Sequence, residues 1–374
     1  MRYRVTCLTP TLVGDGNKLA PIDYMVWKDH VNVLDQRRIF KLLSRGPRLE
    51  GYLAQLKRAD KLDFASWGGF AQNFAGRRIP FEHESAVPVW ERTPAQNLFI
   101  PTFAESTNGG PYLPATAIKG ALRTGAVFDR WSEASIRDLA KRINADEAEG
   151  KRAPRNPATK AEDAVLGGAG KSIMRRVAAG DSATITYSGM KVYLLRTSTL
   201  VAKGGGNFEL GWKSSRGTSD ARRIDDATPT FAEMASPGVA FEGNWRETSD
   251  RDREKLFQAS NHFAAAQLAH HRQYAQWTGL APLAATLESL DAQVREASAR
   301  PNACVLSVGW GGGVLSKVAA GDTSDEGYRS IAKRISLYQN ALRTGLPFPK
   351  TRRIVFQSGK AAQLPGWVLL EILP

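Results

Sequence analysis

The chain has 374 residues, enough for one large domain or two ordinary ones. Hydrophobic residues at 42% against charged residues at 24% exclude a disordered chain and allow a sizeable core. The formal net charge of +14 favours nucleic acid or an anionic surface as a partner and says little about fold.

Residues 1–10 read as a strand carrying Arg2 and Arg4, without the apolar core of a signal peptide. No apolar stretch reaches the roughly 18–20 residues that span a bilayer. The expectation is a soluble, cytoplasmic protein with no membrane partner. Residues 2–13 form one strand, stopped by Gly14-Asp15-Gly16. Tyr24–Trp27 and residues 31–34 make a hairpin across Lys28 and His30. Asp35 is placed to N-cap a helix through Leu43 that ends near Gly46-Pro47, and residues 50–63 are helical. Residues 67–88 are irregular. There Trp67, Phe70 and Phe74 lie near Arg77 and Arg78, which fits base stacking or, more commonly, a satellite hydrophobic cluster.

Residues 97–103 read as a strand and 107–111 as a turn. Thr116 then caps a helix to Trp131, and a second helix covers residues 132–144. Residues 146–163 are charged and broken by Pro154 and Pro157, the best candidate for a mobile insertion. Residues 183–186 and 191–195 read as strands, 202–207 as a glycine loop, and 216–224 as an exposed basic loop. Residues 250–277 and 282–298 have helical periodicity and pair as a hairpin. Residues 304–308 are a strand, 327–342 a helix, and 353–356 and Trp367–Leu373 short closing strands. Strands interleaved with helices indicate an α+β fold. Cys7 and Cys304 each sit in an apolar run and read as buried small hydrophobes rather than as a disulfide or metal site.

The helix after Pro114 carries the first functional signal. Ile118, Leu122, Gly125 and Ala126 form an apolar stripe, and Lys119 and Arg123, four apart, share another face. Lys119 in the first turn opposes the helix dipole at a cost of roughly 0.3–1 kcal/mol. Gly120 inside the helix costs about 0.5–1 kcal/mol against Ala. An RNA backbone docked at this helix N-terminus accounts for both; a solvated basic face is the competing account. The second signal is Gly309-Trp310-Gly311-Gly312-Gly313 after a strand, with Lys317 beyond it. Glycines there let backbone approach a ligand, or simply make a flexible turn with Trp310 packed on the core.

Other motifs fail on spacing. Gly167-Gly168-Ala169-Gly170-Lys171-Ser172 lacks the first glycine of a P-loop, because Val165 stands there. Lys171, Arg175 and Arg176 remain as RNA contacts or as solvated surface. Lys203-Gly204-Gly205-Gly206 has no strand–helix frame and reads as a loop. His262, His270 and His271 share a helix without the i, i+4 metal spacing at 262 and 270, and read as partly exposed. Asp225-Asp226 and Asp250/Asp252 read as solvated acids rather than a two-metal nuclease site.

The run Pro111-Tyr112-Leu113-Pro114-Ala115-Thr116-Ala117-Ile118-Lys119-Gly120-Ala121-Leu122-Arg123 resembles the "YIPGSSLKGALR" signature of RAMP proteins, with Ala115, Thr116 and Ala117 in place of Gly-Ser-Ser. Gly309 to Lys317 resembles that family's carboxy-terminal "GWGSGxxxKT" loop, Val318 standing where Thr is usual. Thr9 to Tyr24 is similar to "TPxHIGSGxxxSPxDY", and Val33-Leu34-Asp35 with its helix to the "YVLD…LL" continuation. Arg176 to Ser182 is loosely similar to "RVSDS", and Phe348 to Arg353 with Pro365-Gly366-Trp367-Val368 to the "FPKTRxx…PLGWVxL" ending. In order, these resemble the Csm-five-type subunit of type III-A CRISPR effectors.

The resemblance implies an RRM-like (ferredoxin-like) core at residues 1–249, a helical hairpin insertion at 250–299, and a glycine loop with closing strands at 300–374. It implies a subunit without catalytic residues of its own, metal or cofactor. That subunit holds the crRNA 3′ end, supports target RNA binding and contacts the repeating backbone and small Csm-type subunits, with host 3′-trimming nucleases as further partners. The RNA-binding candidates are Lys18, Thr116, Lys119, Gly120, Arg123, Arg175, Arg176, Lys203, Gly309, Trp310, Gly311, Lys317, Lys350, Arg352 and Arg353. The loop at Lys203 is a candidate thumb-like element between target base pairs. The rival functions are a RAMP endoribonuclease that processes pre-crRNA and the repeating backbone subunit that cleaves target RNA.

Overall fold

The computed structural model describes the chain except residues 45, 47, 59, 60, 63–70, 151–158, 169, 216–219, 318–324, 335, 344 and 374. Trp67, Phe70, Ala169, Val318 and part of the 146–163 insertion and the 216–224 loop lie outside the described residues. Strand β1 (Arg2–Cys7) alternates buried Tyr3, Val5 and Cys7 with exposed Arg2 and Arg4. It ends at Cys7 rather than Val13, and Thr9 to Val13 instead bridge other segments. A short β2 (Lys18–Leu19) precedes the hairpin of β3 (Tyr24–Trp27) and β4 (His30–Leu34). Asp35 caps α1 (Gln36–Leu43), accepting the Arg38 N–H at 3.0 Å, and α2 (Leu49–Arg58) follows. The segment read as irregular contains β5 (Ala75–Pro80), which pairs with β4, and the start of α3 (Ala86–Arg92). Only Ile100–Pro101, β6, is strand where residues 97–103 suggested a longer one.

Helix α4 (Ala115–Arg130) is followed by α5 (Glu133–Ala148) and α6 (Thr159–Leu166). The next strand is β7 (Val177–Ser182), not residues 183–186. Those residues run on irregularly, with the Ala183 N–H on Glu242 O and the Ile185 N–H on Pro111 O. The long β8 (Met190–Gly204) turns back through Gly205 and Gly206 into β9 (Asn207–Trp212), and β10 (Thr230–Ala235) and β11 (Ala240–Glu247) follow. Then come α7 (Asp250–Thr278), α8 (Ala281–Ser298) and β12 (Ala303–Ser307). The expected 327–342 helix is two, α9 (Glu326–Ala332) and α10 (Ser336–Arg343). The chain closes with β13 (Thr351–Gln357), β14 (Lys360–Gln363) and β15 (Trp367–Leu373).

The fold is α+β with antiparallel sheets. The first sheet has the order β12-β15-β1-β11-β7. Within it, β15-β1-β11-β7 is the 4-1-3-2 order of a ferredoxin-like sheet, with α4 crossing from β1 to β7 and α7 following β11. Strand β12 adds an outer edge. The second sheet, β10-β8-β13-β14 with β9 beside β8, is built from the β7–β11 and β12–β15 connections. The first sheet packs on α4 and α7 through Tyr3, Val5, Phe241, Trp245, Ile118, Leu122 and Phe257. Gly125 lets those helices touch: a Cβ there would stand 2.8 Å from Ser260 Cα. The second sheet buries Ile354, Phe356 and Trp212 with Leu268, Leu283 and Leu287 of the helical hairpin. That hairpin is therefore part of the core's cover. Cys7 and Cys304 are free and buried, and burial raises both thiol pKa values. No described helix is long and apolar enough to cross a membrane.

Thr116 does not cap α4. Pro114 is the N-cap residue, Thr116 is exposed in the first turn, and the Ala115 N–H donates to Asp181 Oδ1 at 2.7 Å. A strand 66 residues away thus supplies the cap. Replacing Asp181 with Ala should cost about 1 kcal/mol, read as a lower urea midpoint with an unchanged slope. No change in midpoint would show that water replaces the carboxylate without loss.

Candidate nucleic-acid interface

Three segments far apart in sequence are knitted together by backbone hydrogen bonds. The Trp310 N–H donates to Leu12 O at 2.7 Å, the Val308 N–H to Gly366 O at 2.7 Å, and the Gly366 N–H to Pro10 O at 3.0 Å. The Trp367 N–H donates to Thr9 Oγ1 at 3.0 Å. Gly309 has φ +72°, and a Cβ there would lie 2.1 Å from Leu12 O. No other residue fits that approach. The glycine run is therefore a pinned wall rather than a flexible turn.

Behind this wall lies a cavity of about 400 Å³. The glycine run, Trp310 and Lys317 form one side. Arg352 and Arg353 from β13, Thr197 from β8 and His271 from α7 form the other. Among the described residues, no Asp or Glu lines it. The Arg353 guanidinium lies 4.0 Å from the Trp310 ring centroid, and burial lowers its pKa. That stacking is worth about 0.5–2 kcal/mol and holds the cation against the loop. Arg352 is buried and pushed down to about 10 by desolvation. Its Nε donates to His271 Nδ1 at 3.0 Å, its Nη1 to Pro349 O and Thr351 O at 2.7 and 2.8 Å, and Tyr274 lies under it at 4.6 Å. Among the described residues, no carboxylate pairs with Arg352, Arg353 or Lys317. Lys317 is exposed at the rim, and partial burial of its amine lowers its pKa. Cations gathered under partial burial without counter-charges make a site suited to an anion.

The structure brings Gly309, Trp310, Gly311, Lys317, Arg352 and Arg353 into this one cavity. Lys350 is half-buried beside lining residues Pro349 and Thr351, its pKa lowered by burial and then by Lys213. The other candidates lie elsewhere. Lys18 sits on β2, 4.4 Å over the Phe99 ring. Lys119 and Gly120 are exposed on α4, and a Cβ at Gly120 would meet no atom within 4 Å. Arg123 pairs with Glu162 at 2.7 Å, and Arg176 with Asp252 at 3.0 Å. Arg175 is exposed on the turn before β7, and Lys203 is exposed at the β8–β9 tip. Arg123 and Arg176 thus already have acidic partners, worth about 0–1 kcal/mol at such surface positions.

Against the sequence expectation of partial exposure, His271 is buried. Its imidazole pKa lies well below the ordinary value because of burial, then Arg352, then His270. It is neutral and accepts from Arg352. Period-3.6 spacing with Leu268 and Tyr274, both buried, was the signal that could have placed it inward.

A ferredoxin-like sheet, a helical cover and a glycine-walled cationic cavity define the class of protein. The sequence profile of the RAMP superfamily matches residues 4–257, and the chain belongs to that superfamily. A search of curated protein sequences finds no match. Among solved structures, it is similar to a chain in the cryo-EM structure of a Csm–crRNA–target RNA ternary complex of a type III-A CRISPR–Cas system. The TM-score is 0.68 and the identity 18%, over 99% of this chain and 100% of that one. It is also similar to the crystal structure of Csm5 from T. onnurineus, with TM-score 0.60 and 18% identity over 98% and 99% of the two chains.

The buried neutral His271 has a pH consequence. The unfolded chain binds its proton more readily than the folded chain. Stability tied to the neutral form is complete above about pH 6.5 and is lost as pH falls below it. The denaturation midpoint should drop from about pH 7 to about pH 5, and drop less in His271→Gln. Equal drops would remove His271 as the cause.

Proposed function

We propose that the chain is the crRNA-binding capping subunit of a type III-A CRISPR ribonucleoprotein, holding the 3′ end of the guide and supporting target RNA binding. The observation that carries this reading is the cavity walled by Gly309, Trp310 and Gly311, with Lys317, Arg352 and Arg353 facing it and no Asp or Glu among its described lining residues. The glycines bring backbone close to a ligand, and the cations suit phosphate without reading bases. Trp310, stacked on Arg353, adds an aromatic surface for a base. The similarity along the whole chain to a member of a crRNA–target complex supports the same reading. Repeating Csm-type and small subunits are the proposed protein partners, with 3′-trimming nucleases acting where the guide leaves the cap.

Helix α4 is proposed as a second contact to the RNA backbone through Thr116, Lys119, Gly120 and Arg123. Its terminal N–H already meets Asp181, so Lys119 and the open surface at Gly120 are the parts left for phosphate. Arg123 joins only by exchanging Glu162 for RNA. Lys18, Arg175, Arg176, Lys203 and Lys350 extend the proposed path, with Lys203 at the tip of a hairpin able to reach a target strand.

Arg353→Ala and Lys317→Ala should each weaken binding of a guide 3′ fragment. Each should also make the log affinity–log salt slope shallower by roughly 0.7 for single-stranded RNA. Unchanged affinity and slope would remove the cavity from the RNA path. Gly120→Ala should stabilise the free protein by about 0.5–1 kcal/mol while weakening RNA; a stabilised protein with unaltered binding would make α4 an ordinary solvated helix. In a reconstituted complex, omitting the chain should leave guide 3′ ends open to an added exonuclease. Cleavage of repeat RNA by the isolated chain without metal would instead favour the processing endoribonuclease.

A further inference from the structure

A second cavity of about 400 Å³ lies against the same long strand, β8. Thr197 lines the glycine-walled cavity and Arg196 lines this one. Arg196 is 4% exposed. Its Nη1 donates to Ile224 O, but its Nε is buried with no acceptor among the described residues. The nearest carboxylate is Asp225 Oδ1 at 4.0 Å, on a side chain that is 73% exposed. Burial lowers the Arg196 pKa, Asp225 only partly opposes that, and nearby Arg92 adds to it. A buried guanidinium so loosely compensated is costly unless an anion completes it.

The lining says which anion. Arg92 and Arg196 are joined there by Asp225, Asp226 and Asn97. A bare carboxylate from a protein partner would satisfy the arginines but would offer the two aspartates no donor. A ribonucleotide offers both kinds of group: phosphate oxygens that accept from guanidinium, and ribose hydroxyls that donate to carboxylate. The volume falls within the range of sites for small ligands. We propose that this cavity binds one ribonucleotide unit of an RNA, with its phosphate on Arg196 and Arg92 and its ribose hydroxyls on Asp225 and Asp226. This site stands on Arg196 and its surroundings, independently of the glycine-walled cavity.

The test uses the full chain carrying Arg353→Ala, so that the first cavity contributes little, and a short oligouridylate as probe. Adding Arg196→Met should lower oligouridylate affinity by about a further tenfold, the loss of one charged hydrogen bond. Methionine fills similar space without charge, a change that buried sites tolerate. The preference for oligouridylate over its 2′-deoxy counterpart should fall in Asp225→Asn/Asp226→Asn. Hydrogen exchange on the unmutated protein gives a reading independent of any variant's folding: the oligouridylate should protect amides at residues 225–228. Unchanged affinity in Arg196→Met, or absent protection, would overturn the proposal. Loss of a subunit contact with RNA affinity intact would also overturn it, assigning the cavity to a protein carboxylate.

Discussion

The hydrogen bond from the Trp310 N–H to Leu12 O, made over a glycine that no other residue can replace, is the constraint on which this architecture turns. Around it, the Val308–Gly366, Gly366–Pro10 and Trp367–Thr9 contacts tie the first strand's exit, the glycine run and the last strand into one knot. The knot closes the ferredoxin-like sheet, because β15 beside β1 takes the position of its fourth strand. The same contacts set the wall of the cationic cavity. Fold closure and site geometry are thus one event, and damage to the loop is damage to both.

Charge is distributed by a different rule. An excess of 14 positive charges leaves open where any cation works. Tertiary pairing decides that. Arg2 and Arg4 share Glu242, Arg123 meets Glu162, and Arg176 meets Asp252. Arg77 reaches the fully buried Glu233 at 2.9 Å and so fastens the β3-β4-β5 sheet to the second sheet. Arg352, Arg353 and Arg196 are the contrast: partly or wholly desolvated, stacked on aromatic rings, and held by carbonyls, an imidazole or a distant carboxylate. Their rings and carbonyls orient the guanidinium without cancelling its charge, which is what binding an anion requires.

Strand β8 contributes to both of these cation-lined cavities. It pairs β10 on one edge, then β13 and β9 along its length. Its successive residues Arg196 and Thr197 line the two different cavities. A sheet assembled from two chain connections thus carries both candidate RNA-facing surfaces, while the ferredoxin-like sheet and its helices hold it in place.

Part of this fold depends only on neighbours along the chain. The Asp35 cap, the apolar stripe of α4, the α7–α8 hairpin and the Tyr24–Leu34 hairpin were all legible, since capping and periodicity act over three or four residues. The ordered motifs also carried the family. Strands β5, β7 and β9–β11 are not legible in the sequence pattern, although in β11 the buried Phe241 and Trp245 alternate with Glu242 and Arg246. Segments such as Val177–Ser182 become strand only because a partner strand pairs with them. Tertiary structure alone decided that Asp181 caps α4, that His271 is buried against Arg352, and that six of the candidate residues share one cavity. Those facts rest on contacts between residues tens to hundreds of positions apart, and such contacts exist only once the core has closed.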